Sequence, residues 1–195
     1  MEFKELIEAR RSVRKYVASE ISETEVEEIV GEALNAPSWK NTEVTRYYAA
    51  VSAEAKGRLW DEALPSFNVA STANAAALVA VTFRKSESGY MGTAAANELG
   101  EMWGAYDCGL ASAYFVLAAK NHGWDSLILG IRDAEKIKAI MGIPDNEVVT
   151  SVIALVKAEG AAANPPRKPV GEVVTVSREE GMNWREVSAT LCQLE

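Results

Sequence analysis

The chain has 195 residues, 48% of them hydrophobic and 25% charged, which suits a single globular domain and excludes a disordered chain or a small disulfide-stapled scaffold. Lys and Arg total 20 against 28 Asp and Glu, a formal net charge of -8, so a nucleic-acid partner is not expected. The longest apolar run, residues 75–81, is far short of the roughly 20 residues that cross a bilayer. The acidic start, Met1-Glu-Phe-Lys-Glu5, lacks the basic region of a secretory leader, so a cytoplasmic protein without a membrane partner is expected.

In chain order, Phe3, Leu6 and Ile7 space an amphipathic helix that runs into Ala9-Arg-Arg-Ser-Val-Arg-Lys-Tyr16. Ser22 and Glu25 make a capping box, and behind it Val26, Ile29, Val30, Ala33 and Leu34 share one face of a helix that Pro37 stops. Residues 47–51 read as a strand and 53–63 as a helix ended by Pro65. Residues 75–83 read as a strand covered on both faces. A polar stretch from Arg84 to Gly92 precedes a long helix marked by Leu99, Met102, Trp103, Tyr106, Leu110, Tyr114 and Leu117. Residues 126–129 form a short strand, Asp133 caps a helix that Gly142 and Pro144 close, and Val148–Val156 is another strand. Asn164-Pro-Pro-Arg-Lys-Pro169 is a rigid loop, and Val173–Val176 reads as a late strand. No linker or repeat divides the chain, and no clean βαβ beat appears. The expected fold is one α+β domain over residues 1–195, a sheet flanked by helices, rather than a doubly wound nucleotide fold.

The common dinucleotide, phosphate-loop, zincin and hydrolase signatures are all missing. The one histidine, His122, falls at an expected helix end, where it suits the dipole or a cap better than catalysis. Cys108 and Cys192 form no CxxC, so neither a metal site nor a catalytic side chain is expected. Chemistry is therefore expected to belong to a cofactor.

Three segments offer to hold one. Arg10-Arg11-Ser12-Val13-Arg14-Lys15 gathers four cations and a hydroxyl within six residues of an otherwise acidic chain. Guanidinium forks match phosphate oxygens, but the same residues can close a helix and pair with Glu5 or Glu8. Arg167-Lys168, set between Pro166 and Pro169, is either a preorganised anion clamp or an exposed basic loop. In Asn35-Ala-Pro-Ser-Trp-Lys-Asn41, Ser38 and Asn41 can satisfy a turn or present hydrogen-bond groups to a ligand, and Trp39 can stack or fill an interface.

Together, Arg10-Arg-Ser-Val-Arg14 followed by Pro37-Ser-Trp-Lys-Asn41 resembles the opening of the FMN-dependent nitroreductase family, with its R-x-S-x-R/K element and P-S-x-x-N loop. Asn68 before the apolar strand, Asp107-Cys-Gly-Leu-Ala111, Ser126-Leu-Ile-Leu-Gly130 and Arg167-Lys-Pro169 extend the resemblance over nearly the whole chain. It implies a nitroreductase-like fold, a homodimer with FMN at the subunit interface, and NADH or NADPH as electron donor. Arg10, Ser12, Arg14 and Arg167 would bind the phosphate and ribityl chain, with Arg11 contributing backbone contacts and Lys168 joining the cluster. Pro37, Ser38, Trp39 and Asn41 would approach the flavin from the other subunit. Asn68, with Asn74 as its competitor, would face the pyrimidine edge, and Leu129 and Gly130 would lie by the ring. The implied activity is ping-pong hydride transfer from NAD(P)H to nitroaromatics, quinones or similar electron-poor small molecules; the alternative is a flavin- or ligand-binding dimer without fast turnover. One departure stands out: the family's N-x-Q-P-W is replaced here by Asn41-Thr-Glu-Val-Thr-Arg46.

Overall fold

The computed structural model describes residues 1–176. Met1–Ala163 form one compact unit and a second begins at Asn164. The first unit contains helices α1 (Phe3–Ala9), α2 (Glu23–Ala33), α3 (Ala53–Arg58), α4 (Ser66–Ala70), α5 (Met102–Asn121) and α6 (Ala134–Met141). Its strands are β1 (Tyr16–Val17), β2 (Thr45–Ala50), β3 (Ala77–Arg84), β4 (Tyr90–Met91), β5 (Ala94–Ala95), β6 (Asp125–Leu129) and β7 (Glu147–Ala158).

The sheet is antiparallel and runs β6–β7–β3–β2, with β1 paired to the end of β7. Leu155 of β7 faces Ala77 on one edge and Ser126 on the other, so β6 and β2 lie on opposite sides of the β7–β3 centre. The apolar run through β3 is buried from Ala77 to Phe83, as a strand covered on both faces requires. One face packs on α2 and α5 through Ile29, Val79, Phe115 and Ile153, and the other holds Leu59, Leu78, Ile137 and Val152.

Local chemistry accounts for the helices. Ser22 and Glu25 cap α2 reciprocally, as their spacing predicts, and the Asp133 side chain caps α6, which Gly142 closes in the left-handed region at φ 66. Two expectations need correction. Leu34, assigned to the buried face of α2, is 63% exposed, because the helix ends at Ala33 and the chain turns away toward Pro37. The strand expected at Val173–Val176 is absent. In the second unit Val170–Val173 form a helical turn, α7, in which the Val174 N–H bonds the Val170 carbonyl instead of a sheet neighbour.

Helix α5 stands where the sequence places it but turns another face inward. Small residues, Gly104, Cys108, Ala111 and Ala119, meet the sheet, while Met102, Tyr106 and Tyr114 point outward. Close approach requires this choice: a Cβ on Gly104 would collide with the Phe83 ring. Phe115 joins the small residues on the inward face farther along, whereas Met102, Tyr106 and Tyr114 form an apolar stripe along the outside of the helix. His122 at its end pairs with Glu32 at 2.8 Å, in keeping with a structural role. Among the described residues no helix is long and apolar enough to cross a membrane, and no group of side chains is arranged to hold a metal. Cys108 is buried and unpaired; Cys192 lies outside the described residues.

Candidate active site

The basic segment leaves α1 in extended conformation and runs beside β6. Ser12 forms a parallel bridge with Ser126, and the Val13 N–H donates to the Ser126 carbonyl at 3.0 Å. Extended backbone alternates its side chains, so Val13 enters the core at 2% exposure while Ser12 and Arg14 face out. The outward groups border a cleft of roughly 240 Å³ lined by Ser12–Lys15 and Glu159–Ala163.

Cations at a helix end usually find carboxylates, and this chain has an excess of them. Yet among the described residues no ion pair reaches Arg10, Arg11, Arg14 or Lys15, and the expected alternatives, Glu5 and Glu8, leave them alone. Only Arg11 folds back, donating to the Arg10 carbonyl at 2.7 Å. The segment thus keeps strong donors directed at open space, the condition for anion recognition.

At the end of β6 the Leu129 side chain is buried and Gly130 is exposed. A Cβ on Gly130 would meet nothing of this chain within 4 Å, so the fold itself does not require glycine there. Asn68, 7% exposed, reaches this turn and donates its side-chain amide to the Ile131 carbonyl at 2.7 Å. Asn74, the competing candidate, is exposed. Arg10–Arg14, Asn68, Leu129 and Gly130 therefore gather around one edge of the sheet.

The Pro37–Asn41 loop does not join them. It leads into β2, four strand spacings from Ser12, roughly 19 Å across the sheet. Lys40, Asn41 and Glu43 have φ of 47, 56 and 50, left-handed values that side chains disfavour and that cluster at binding sites. Hydrogen bonds hold the loop: Ser38 Oγ accepts the Glu43 N–H at 3.0 Å, and the Asn41 amide donates to Glu43 Oε1 at 2.8 Å. The Trp39 N–H donates to Asp107 Oδ2 at 3.0 Å, and its ring packs on Trp103 with centroids 4.8 Å apart. Trp39 Nε1 is shielded from solvent and has no partner.

The sequence assigns Asp107 no role of its own, although it opens the Asp107-Cys-Gly-Leu-Ala111 motif. The available signal is a lone carboxylate on the helix face that otherwise shows Gly104, Cys108 and Ala111 to the sheet. Beside it, burial pushes the Cys108 thiol up and so keeps it protonated and inert. Arg167 and Lys168 are exposed in the unit that begins at Asn164, flanked by Pro166 and Pro169.

An antiparallel sheet with helices on both faces, a cationic edge without ion pairs among the described residues and an open glycine turn beside it define an α+β protein with a candidate anion site. Comparison with known proteins makes this specific: residues 7–156 match the family model described as the Nitroreductase family, and the chain belongs to that family. A protein of Archaeoglobus fulgidus, named for a proposed NADH dehydrogenase/NAD(P)H nitroreductase activity, is 30% identical over 77% of this chain and 82% of its own length. A nitroreductase family protein from Clostridium novyi NT has a similar structure, with TM-score 0.70 and 26% identity over 82% of this chain and 88% of the other. A protein of Exiguobacterium sibiricum 255-15, described as a proposed nitroreductase and solved in complex with FMN, shares the fold at TM-score 0.76, with 24% identity over 91% and 98% of the two chains. The nitroreductase-like fold is established, and the family is one of FMN-using oxidoreductases.

Proposed function

We propose that this chain is a cytoplasmic, homodimeric, FMN-dependent oxidoreductase that takes electrons from NADH or NADPH and reduces electron-poor small molecules such as nitroaromatics, quinones or enones. The observation that carries the reading is the row of cations at Arg10, Arg11, Arg14 and Lys15, which no carboxylate neutralises among the described residues. Their donors and the Ser12 hydroxyl fit a phosphate with its attached chain. The open turn at Gly130 leaves room for a planar ring, and Asn68 keeps its Oδ1 to accept a ring N–H while its amide steadies the turn. When bound, FMN would supply hydride transfer, so no side-chain nucleophile or acid–base pair is called for.

The two halves of the candidate site support the dimer. Pro37, Ser38, Trp39 and Asn41 stand across the sheet from the cationic edge, so one ligand meets both sets when two chains contribute. The outward stripe of Met102, Tyr106 and Tyr114 gives α5 an apolar surface suited to such an interface. Ping-pong exchange follows from one open ring face serving donor and acceptor in turn. Arg167 and Lys168 belong to this reading on the resemblance alone.

A second reading, a flavin-binding dimer without fast turnover, is favoured by one observation: Glu43 holds the Asn41 amide that the resemblance assigns to the flavin. Absorbance spectra test the first reading. Purified protein is expected to carry or take up FMN and to lose its flavin band on anaerobic addition of NADH or NADPH. Protein that neither carries nor takes up FMN overturns both readings, whereas FMN that neither nicotinamide reduces in stopped-flow mixing leaves the second.

A further inference from the structure

Carboxylates grip the loop that faces the proposed cofactor from two sides. Glu43 gives its N–H to Ser38 Oγ and takes the Asn41 amide on Oε1. Asp107, 2% exposed, takes the Trp39 N–H at 3.0 Å and the Ser88 hydroxyl at 2.6 Å. Both carboxylates line one small cavity with Pro37 and Ser38. Among the described residues neither has an ion-pair partner. Arg46 stands close, but its guanidinium donates to the Glu43 and Thr45 carbonyls, and the Lys40 ammonium turns to the Met91 sulfur. A neutral amide oxygen accepts either hydrogen bond as well. Holding the loop therefore does not call for charge, and at Asp107 an unpaired charge out of water is costly.

We infer that Glu43 and Asp107 are positioning residues that set negative charge behind the cofactor-facing loop and make bound FMN harder to reduce than neutral amides would. The inference rests on the FMN reading above. Reduction of FMN near neutral pH takes up two electrons and one proton, so the bound group gains one negative charge. Fixed donors aimed at such a charge favour its formation, and fixed carboxylates oppose it by the same electrostatics. The oxidised ring is neutral, so binding of the oxidised cofactor is expected to change little.

The test is an equilibrium reduction of FMN-loaded protein against a reference dye, together with FMN titration of each variant. Glu43→Gln is expected to raise the ratio of reduced to oxidised FMN about tenfold at a fixed dye potential, or ~30 mV for a two-electron couple. Asp107→Asn is expected to shift it in the same direction, and FMN affinity should stay within about threefold in both. Glu43→Asp, which keeps the charge, should stay within about twofold of the wild-type ratio. An unchanged ratio in Glu43→Gln, or an equal shift in Glu43→Asp, overturns the inference and leaves the FMN reading standing. Wild-type protein that takes up no FMN overturns the reading and the inference together. Glu43 is exposed, so its variants carry the test even where Asp107→Asn fails to fold.

Discussion

Asn68 of α4 donates its side-chain amide to the Ile131 carbonyl at 2.7 Å, fastening the helix before β3 to the turn after β6. The backbone carbonyl of Asn68 meanwhile accepts the buried Thr72 hydroxyl at 2.7 Å, so the residue is fixed at both ends. Its replacement by alanine deletes the cross-link and loosens the turn at Gly130. We expect Asn68→Ala to lower stability by about 1–2 kcal/mol in urea denaturation and to weaken FMN binding several-fold. Asn68→Asp sets a carboxylate against the same carbonyl and is expected to cost more. FMN affinity unchanged in both variants would remove Asn68 from the site.

The arginines of the cationic edge should behave differently. Arg10 and Arg14 make no ion pair with the described residues, so their truncation removes little that the fold uses. Arg10→Ala and Arg14→Ala are each expected to change stability by less than about 0.5 kcal/mol. Each should weaken FMN binding by about 1–3 kcal/mol, the range for a charge-assisted contact. Flavin fluorescence quenching measures the affinity, and added salt should narrow the gap between wild type and variants.

Much of this arrangement is legible in the sequence because it is written in short-range chemistry. Ser22 and Glu25 announce a cap, the run through Val79 and Val81 announces a central strand, and Asp133 and Gly142 bracket α6. The facing of α5 is not legible. Trp103, Tyr106 and Tyr114 have the apolar spacing of a core stripe. Beside Gly104, however, the Phe83 ring leaves no room for a side chain and so turns Gly104, Cys108, Ala111 and Phe115 inward, a choice made from far along the chain. Asn68 is visible as a residue, whereas its partner is a backbone carbonyl that leaves no mark on residue type. Asp107 shows the opposite limit: its identity is plain, and only the fold brings Trp39 and Ser88 to it.

Two glycines separate the demands of the fold from those of a ligand. A Cβ on Gly104 drives into the Phe83 ring, so Gly104→Ala forces α5 off the sheet and is expected to cost about 1–3 kcal/mol. A Cβ on Gly130 meets nothing of this chain, so Gly130→Ala should melt within about 2 °C of wild type yet bind FMN less tightly. Thermal melts without cofactor and FMN titrations together give the contrast. A destabilised Gly130→Ala would mean that the turn itself, and not a ring lying against it, calls for glycine.

The cap of α2 makes acid sensitivity a local property. The Ser22 backbone N–H, then its hydroxyl, bond the Glu25 carboxylate and hold its pKa below the ordinary carboxylate value. In the unfolded chain those bonds are gone and Glu25 titrates near pH 4.3. The unfolded state therefore takes up the proton first as pH falls. The cap's contribution is fully present above the unfolded pKa and is lost as pH drops through the folded one. Glu25→Gln keeps a capping side chain but removes the titration. Between roughly pH 5 and 3, wild-type stability should fall more steeply than that of Glu25→Gln, with the two curves converging at the acid end. Urea melts at closely spaced pH values measure both slopes, and parallel curves would show that the Ser22 bonds do not hold the Glu25 proton off.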